Sequence, residues 1–544
     1  MASILWCLCI FTPVFAESEP SIRPDSATVQ VDSTYKMKWD AYIARKKAEF
    51  VKNNPPPEGV QPIFSEEKFN SPKNADLYDS IGVAYTTDNS TLEDSLDVDS
   101  TQSFIKTVVF PPIVAAEVIG LNVFVWGWDR YVLDKTYART GPSYWKRNFR
   151  EGWEWDHNHW AINFYGHPYQ GSMYYATARA GGYGFYESML WAALGSGTWE
   201  MFAETEYPSR NDLVMTSIGG SVYGEVLYRM SRKLYGLEEV PWYKQLAAFV
   251  IEPAGVAQRK AFGNRDSKTG NTAMDMDLYL GLGRRMGSIS RFGSEEEDEL
   301  DDDWKDRHLM LGMDIEYGHP YSKVKRPFDY FTILGNLELG ENGNAGHLDV
   351  TGKLANVGVH GRGHWVDFAT YLDYDTYYGD FATIGTISLG AGIDFALWLT
   401  PTLRFRMTNQ LYWIMLGTTD MGYDDIIKAK NPEYESDMDN YQYSMGVKYA
   451  LALEIMVGRR FTLSNDTYLD ALQTIPGSLP MYGSRGWDVV IFNYSKIKYD
   501  ITQWMAIALG LDTYVKLATY SSEYSDPMSQ SLFAYTTLVT FKLF

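Results

Sequence analysis

Glu200 and Glu204 are four residues apart in a segment with helical spacing, so their carboxylates share one face of a helix. Such a pair can move protons in general acid/base work or, with an imidazole, hold a metal ion. Glu187 falls on the same predicted helix. His167 stands directly before Pro168, and proline is favoured at the first helical position, so the His167 ring is expected at a helix start. With Asp156 or Asp212 nearby, His167, Glu200, Glu204 and Asp212 form the candidate catalytic set.

The same residues admit a structural reading. A charge inside a packed module at a membrane needs a partner, and Arg179 and Arg229 are available to Glu200, Glu204, Asp212 and Glu225. Asp156, Asn163, Arg179, Asn211, Glu225 and Arg229 are therefore expected in structural or ligand-binding roles. The two readings part on whether the carboxylates line an open pocket or are consumed by the two arginines.

Other chemistries are less well provided for. Ser172 follows Gly171, but a nucleophile elbow needs glycine two residues to each side, and Tyr174 stands at one of those places. A hydrolase using another serine with His167 stays open. No phosphate-binding glycine loop occurs. His157, His159, His308, His319, His347, His360 and His364 show no ligand spacing on one helix face, although His157 and His159 would suit a strand. No cofactor is expected, and the metal question is open. The acidic run Ser294–Asp303 has carboxylates that suit Ca²⁺ but lacks the spaced ligands and glycine of a calcium loop, so it reads as a solvated loop.

The elements that must position these residues lie between Phe104 and Gly263. Helical spacing predicts segments at Phe110–Val132, His167–Gly181, Phe185–Glu206, Asn211–Leu234 and Trp242–Ala261, with Ser209 or Asn211 capping the fourth. Ser217 with Ser221, Gly220 with Gly224, and Ser172 with Ala176 and Ala180 place small residues at i and i+4. That spacing lets a second backbone approach closely, and tight packing within the module explains it better than a lipid-facing dimer motif.

Along this module run Asn148-Phe149, Trp155-Asp156, Asn163-Phe164, Gly166-His167-Pro168-Tyr169-Gln170-Gly171-Ser172, Tyr174, Arg179 and Gly182. Then come Trp199-Glu200, Glu204, Asn211-Asp212, Gly219-Gly220, Gly224-Glu225 and Arg229. This ordered set resembles a bacterial outer-membrane family known as domain of unknown function 3943, over about Phe104 to Leu234 and more loosely beyond. The resemblance implies a helical block preceding a barrel and says little about activity.

From about Asp275 onward the texture changes to period two. In Thr386–Leu399, Ile387, Leu389, Ala391, Ile393, Phe395, Leu397 and Leu399 share one face, while Thr386, Ser388, Gly390, Gly392 and Asp394 share the other. Twelve strands are predicted, near 275–286, 308–318, 327–340, 346–361, 363–376, 383–399, 402–417, 440–457, 459–472, 487–500, 503–520 and 530–544. Connections after strands one, seven, nine and eleven are long, and those after four, six, eight and ten are short. A closed, even-stranded outer-membrane barrel has this asymmetry, with short turns and both termini in the periplasm. A soluble sandwich would not predict it.

Composition agrees. The chain has 544 residues, 40 Tyr and 17 Trp, enough for a large core and for aromatic girdles at two membrane interfaces. A formal charge of −21 excludes nucleic acid as the main partner, because phosphate binding needs clustered Lys and Arg. Cys7 and Cys9 lie in the apolar run Ile4–Phe15, which ends at Val14-Phe15-Ala16 like a secretory signal peptide cleaved after residue 16. The run lacks the usual basic residue at its start, so the start codon is expected upstream. Cleavage would leave no cysteine, and so no disulfide, thiolate site or thiol nucleophile. Residues 17–103, with a charged helix at Ser33–Lys52, Pro55-Pro56-Pro57 and an acidic Ser/Thr-rich stretch, read as a periplasmic leader. After the signal, the nearest run to a membrane-spanning helix, Thr107–Trp128, carries Pro111, Pro112 and Glu117.

The expected architecture is a membrane β-barrel over 275–544 with a Gly- and aromatic-rich helical module over 104–263, in the outer membrane of a Gram-negative cell. Expected partners are outer-membrane lipids, a small ligand and the barrel assembly machinery, which reads an aromatic end like Phe544, here out of phase with Phe533, Tyr535, Val539, Phe541 and Leu543. A twelve-strand lumen has room for one or two helices of about 10 Å width, so most of the module is expected to plug or cap the mouth. Transport, ligand binding or envelope organisation would follow. The alternative is an envelope hydrolase of lipid or glycan using the His167 and carboxylate set.

Overall fold

A computed structural model describes residues 109–156, 158–235, 240–263, 273–291, 302–379, 381–420, 441–458, 460–479, 485–520 and 528–543. The segments expected as signal peptide and leader, His157, Phe544 and all but the last two residues of the acidic run lie outside the described residues.

Alternating sequence becomes a closed antiparallel barrel of twelve strands: β1 Met274–Arg291, β2 Asp302–Tyr317, β3 Phe331–Gly340, β4 Gly343–Gly361, β5 His364–Gly379 and β6 Thr383–Thr400. It continues with β7 Leu403–Asp420, β8 Tyr441–Val457, β9 Phe461–Thr474, β10 Gly486–Asp500, β11 Met505–Tyr520 and β12 Met528–Lys542. Each strand pairs with its neighbours in sequence, and β1 closes on β12 from Asp277↔Lys542 to Arg291↔Met528, so no edge is left open. The long connection 318–330 between β2 and β3 departs from the expected pattern. It lies at the same end as the short β4–β5, β6–β7, β8–β9 and β10–β11 connections, while the equally short β3–β4 and β5–β6 connections lie at the other end, and in it Phe328 takes a positive φ of 64°.

The inward phase is polar and meets itself across the lumen. Lys448 Nζ lies 2.9 Å from Asp373 and 2.8 Å from Asp375. Lys496 of β10 reaches Asp314 of β2 at 2.5 Å, and Arg406 of β7 reaches Glu316 of β2 at 3.0 Å. His347 of β4 stacks on Tyr494 of β10 with centroids 5.1 Å apart. Contacts between strands so far apart around the barrel mean that side chains fill its interior.

The outward phase is apolar, as a lipid-facing wall requires. Leu282 is 70% exposed and Phe368 52%, with Leu280, Leu389 and Ile393 also exposed. One stretch of that wall is different. The register row Met276↔Ile315↔Ile333↔Val350↔Tyr374↔Ile387↔Leu416 has the same outward phase, yet every member is buried.

The helical module covers this row. It comprises α1 Pro111–Tyr131, α2 Pro142–Glu151, a π-turn at Ile162–Gly166, α3 His167–Ala180 and α4 Phe185–Phe202. Then follow α5 Arg210–Val214, a second π-turn at Met215–Gly219, α6 Gly220–Tyr235, α7 Trp242–Ile251 and α8 Pro253–Phe262. The segment expected as one helix over 242–261 breaks at Pro253, which has no N–H to continue the ladder, and α2 was not foreseen. Along α1, Glu117 does not prevent the helix from being long and apolar enough to cross a membrane by length and composition.

Docking is aromatic and polar together. Trp160 stacks between Phe164 and Tyr378, at 4.7 and 5.1 Å, and its indole donates to Thr418 Oγ1 at 2.7 Å. Asn163 donates to the hydroxyls of Tyr441 and Tyr443 at 2.7 and 2.8 Å. At the far end of the row, Phe185 stacks on Phe328 at 5.3 Å. The expectation of a plug or cap is thereby corrected: the module lies against the outer wall. The lumen is already occupied, and the outer wall offers the apolar surface that the helices can bury.

Small residues hold the module together. A Cβ on Gly220 would stand 2.6 Å from Cα of Gly171, and one on Gly171 would collide with the Thr216 carbonyl. The i,i+4 pattern of small residues thus serves close helix contact between α3 and α6.

Candidate functional site

The two π-turns build the site. Each widens the helix by one residue per turn, a distortion common at functional positions. The first ends immediately before His167, and the second carries Thr216, whose Oγ1 lies 3.4 Å from His167 Nδ1. The other ring nitrogen, Nε2, stands 3.6 Å from Asp212 Oδ1. Glu200, near the end of α4, completes a triangle in which one ligand atom each from His167, Glu200 and Asp212 lie within 4.8 Å of one another. All three residues are buried.

A polar frame orients them. Ser209 N donates to Glu200 Oε2 at 2.8 Å, and Ser209 Oγ accepts from Asp212 N at 3.1 Å as the N-cap of α5. Asn211 Nδ2 donates to Asp212 Oδ1 at 2.9 Å, and its Oδ1 accepts from Asp156 N at the same distance. Asp156 accepts from Asn158 through both N and Nδ2, at 3.1 and 2.5 Å. Glu204, half-buried just past α4, accepts from Trp199 Nε1 at 2.6 Å.

Burial governs the electrostatics. It pushes Glu200 well above the usual carboxylate range, with Asp212 and Glu204 adding to the effect. It raises Glu204 to about 8, again with Asp212 contributing. Asp156 rises by burial and then by the neighbouring Asp212 carboxylate, while hydrogen bonds from Ser209, Asp156 and Asn211 restrain the rise at Asp212. Burial lowers His167, so its ring stays neutral, and the pull of Asp156 offsets this only in part.

The arginines are elsewhere. Arg179 Nε and Arg229 Nε reach the two oxygens of Glu225 at 2.8 and 2.7 Å, with the Tyr175 hydroxyl donating to Oε2 at 2.7 Å. Arg229 goes on to Asp329 at 3.0 Å and the Pro327 carbonyl at 2.8 Å in the β2–β3 connection. Structural pairing thus holds for Glu225 and is corrected for Glu200, Glu204 and Asp212: among the described residues none of these three, nor Asp156, has a lysine or arginine ion pair. Asn163 docks the module rather than joining the cluster. Thr216, Ser209 and Asn158 were missed as members of the site. Thr216 had one signal, standing four residues after Asp212.

A polar cleft of about 400 Å³ is lined by Trp153, Glu154, Trp155, Arg210 and Gly477. Trp155 and Arg210 directly precede Asp156 and Asn211 in the chain. The Trp155 ring lies 5.1 Å from that of Tyr443.

Residues 152–254 match the family model described as Domain of unknown function (DUF3943). The resemblance is borne out over the site-bearing helices. A comparison with curated proteins found no match. Among solved structures the chain is similar to a KdgM porin, at 8% identity over 48% of this chain and 99% of that one, with a TM-score of 0.20. A NanC porin matches at 14% identity over 48% and 100%, with a TM-score of 0.22. The translocator domain of the autotransporter NalP from Neisseria meningitidis matches at 9% identity over 50% and 90%, with a TM-score of 0.23. With its apolar outer wall, polar interior and closed ladder, the chain is an outer-membrane β-barrel protein.

Proposed function

We propose that the barrel anchors a hydrolytic centre of the cell envelope, housed in the helical module and acting on lipid. One observation carries this reading: a neutral His167 shares a buried site with Glu200 and Asp212, flanked by Asp156, and among the described residues none of these carboxylates has a lysine or arginine ion pair, while Arg179 and Arg229 are both engaged by Glu225. A buried carboxylate cluster without compensating cations costs stability, and such costs are retained where a site works. On this reading substrate would enter by the polar cleft at Trp155 and Arg210, the chain neighbours of Asp156 and Asn211.

Lipid is the substrate class because the module sits against the lipid-facing wall. Its exposed apolar side chains, among them Phe124, Trp128, Leu190 and Trp242, continue that wall. The reaction would be addition of water across an ester, giving acid and alcohol, with the cluster accepting the proton from water and returning one to the leaving oxygen. Glycan would need sugar-stacking aromatics along an open groove; the cleft has Trp153 and Trp155 only. We further infer that the short turns 362–363, 401–402, 458–460 and 501–504 face the periplasm, which would put both ends of the barrel sequence on that side.

The test is to incubate purified protein and a Glu200→Gln variant with outer-membrane phospholipid and lipopolysaccharide and follow lipid masses. Conversion by the wild type and not by the variant is expected. Identical, unchanged spectra would sink the proposal.

A further inference from the structure

We infer that His167, Glu200 and Asp212 form a binding site for one divalent first-row transition metal ion, with His167 Nε2 and a carboxylate oxygen from each acid as ligands. The inference rests on the reading of this cluster as a functional centre, and adds the ion that would complete it.

Three independent observations converge. The first is spacing. Ligand atoms from the three residues lie within 4.8 Å of one another, and His167 Nε2 and Asp212 Oδ1 are 3.6 Å apart. Two ligands at about 2.1 Å from a tetrahedral ion stand about 3.4 Å apart, so the His167–Asp212 side already fits and the longest side would close by at most about 1.4 Å, within reach of a side-chain rotation. Second, Glu200 Oε1 has no hydrogen-bond partner among the described residues although Glu200 is 1% exposed. Its other oxygen is held by Ser209 N at 2.8 Å, which fixes the carboxylate and leaves Oε1 for another group. An unsatisfied buried oxygen is costly, and a cation relieves the cost.

The third is the surrounding shell. Metal-bound histidines almost always engage their other ring nitrogen, which sets the tautomer and the ring plane. Thr216 Oγ1 stands 3.4 Å from His167 Nδ1, so with Nδ1 protonated Nε2 presents its lone pair to the carboxylates. Asn211 holds Asp212 Oδ1 at 2.9 Å in the same supporting way. Asn211 also accepts from the Asp156 N–H, which ties that residue to the same shell. One imidazole with carboxylates suits Zn²⁺, Mn²⁺ or Fe²⁺ better than Ca²⁺, which takes oxygen ligands alone, or a thiophilic ion. Three protein ligands leave an open position, as catalytic rather than structural sites do.

The experiment measures metal without substrate. Full-length protein in detergent is stripped with chelator, titrated with Zn²⁺ and with Mn²⁺, dialysed and analysed for metal content. One equivalent retained by the wild type, and at least about a hundredfold weaker binding by Glu200→Gln and His167→Gln, are expected. A Glu341→Gln variant, altered only at the exposed Arg307 pair of the barrel, should bind as the wild type does. Because a site variant could misfold, wild-type protein carrying Mn²⁺ is also examined by electron spin-echo modulation. Nitrogen coupling from one imidazole supports the site, and its absence overturns it. Failure to retain an equivalent of either metal, or equal retention by the His167→Gln variant, overturns it as well. Metal bound without lipid conversion would leave this site standing and remove the hydrolase; lipid conversion by metal-free protein would do the reverse.

Discussion

The Tyr374 hydroxyl, on the outward face of β5, donates to the carbonyl of Phe164 in the π-turn that ends just before His167. Barrel wall and candidate site are therefore one hydrogen bond and three residues apart. Replacing Tyr374 by Phe leaves that buried carbonyl without its donor, at a cost of about 1–2 kcal/mol. The module should then be cut faster by protease while heat-modifiable migration of the barrel is unchanged. Equal cleavage rates would show that this contact does not hold the module.

Glu225 is the electrostatic keystone of α3 and α6. Substitution by Gln leaves Arg179 and Arg229 buried against a neutral amide, and breaking such a network costs about 3–5 kcal/mol. Tryptophan fluorescence should report loss of module packing in Glu225→Gln at temperatures where the wild type is intact. A wild-type melting curve would contradict this account.

The same residue sets an acid limit. Burial pushes the Glu225 carboxyl up, but the guanidiniums of Arg179 and Arg229 outweigh it and hold the pKa below its ordinary 4.5. A depressed folded-state pKa gives stability that is complete above the unfolded value and is lost as pH falls through the folded one. The Glu225 contribution, read as the stability difference between wild type and Glu225→Gln by fluorescence in denaturant, should therefore be lost only below about pH 4, whereas the raised Glu200 and Glu204 carboxyls lower the stability of both proteins as pH rises toward neutrality. A loss centred near neutrality would assign it to another group.

Gly171 and Gly220 should tolerate no side chain. A methyl on either meets backbone across the α3–α6 contact, and rigid backbone cannot swing away. Overpacking of this kind costs about 1–3 kcal/mol or more. Gly220→Ala should lower the module's melting temperature, whereas Gly197→Ala, which meets nothing within 4 Å, should not.

Conductance distinguishes a plugged barrel from a filled one. With Lys448, Lys496 and Arg406 paired across the lumen, deleting residues 104–263 should not raise conductance in planar bilayers. A rise in a correctly folded truncation would restore the plug.

Much of the architecture was legible in the residues. Period two separated Ile387 and Leu389 from Thr386 and Ser388 because side chains alternate along a strand whatever surrounds it. Proline at position 168 marked the start of α3, and small residues four apart marked the α3–α6 contact, both through local geometry. Ser209 was legible as a cap for the same reason.

What the sequence by itself determined, then, is the local part: which residues alternate, where helices begin, and that a histidine and several carboxylates recur in one module. Only the tertiary structure decided which partner each took. Alternation puts Tyr374 and Phe368 on the same outward face, but lipid and helix are both apolar covers, so only the packed chain shows Tyr374 buried and Phe368 exposed. Glu200 and Glu225 are equally acidic in sequence. Close packing of α3 on α6 brings Arg179 and Arg229 to Glu225 and leaves Glu200 with His167, because an ion pair is decided by distances of a few ångström that no linear spacing encodes.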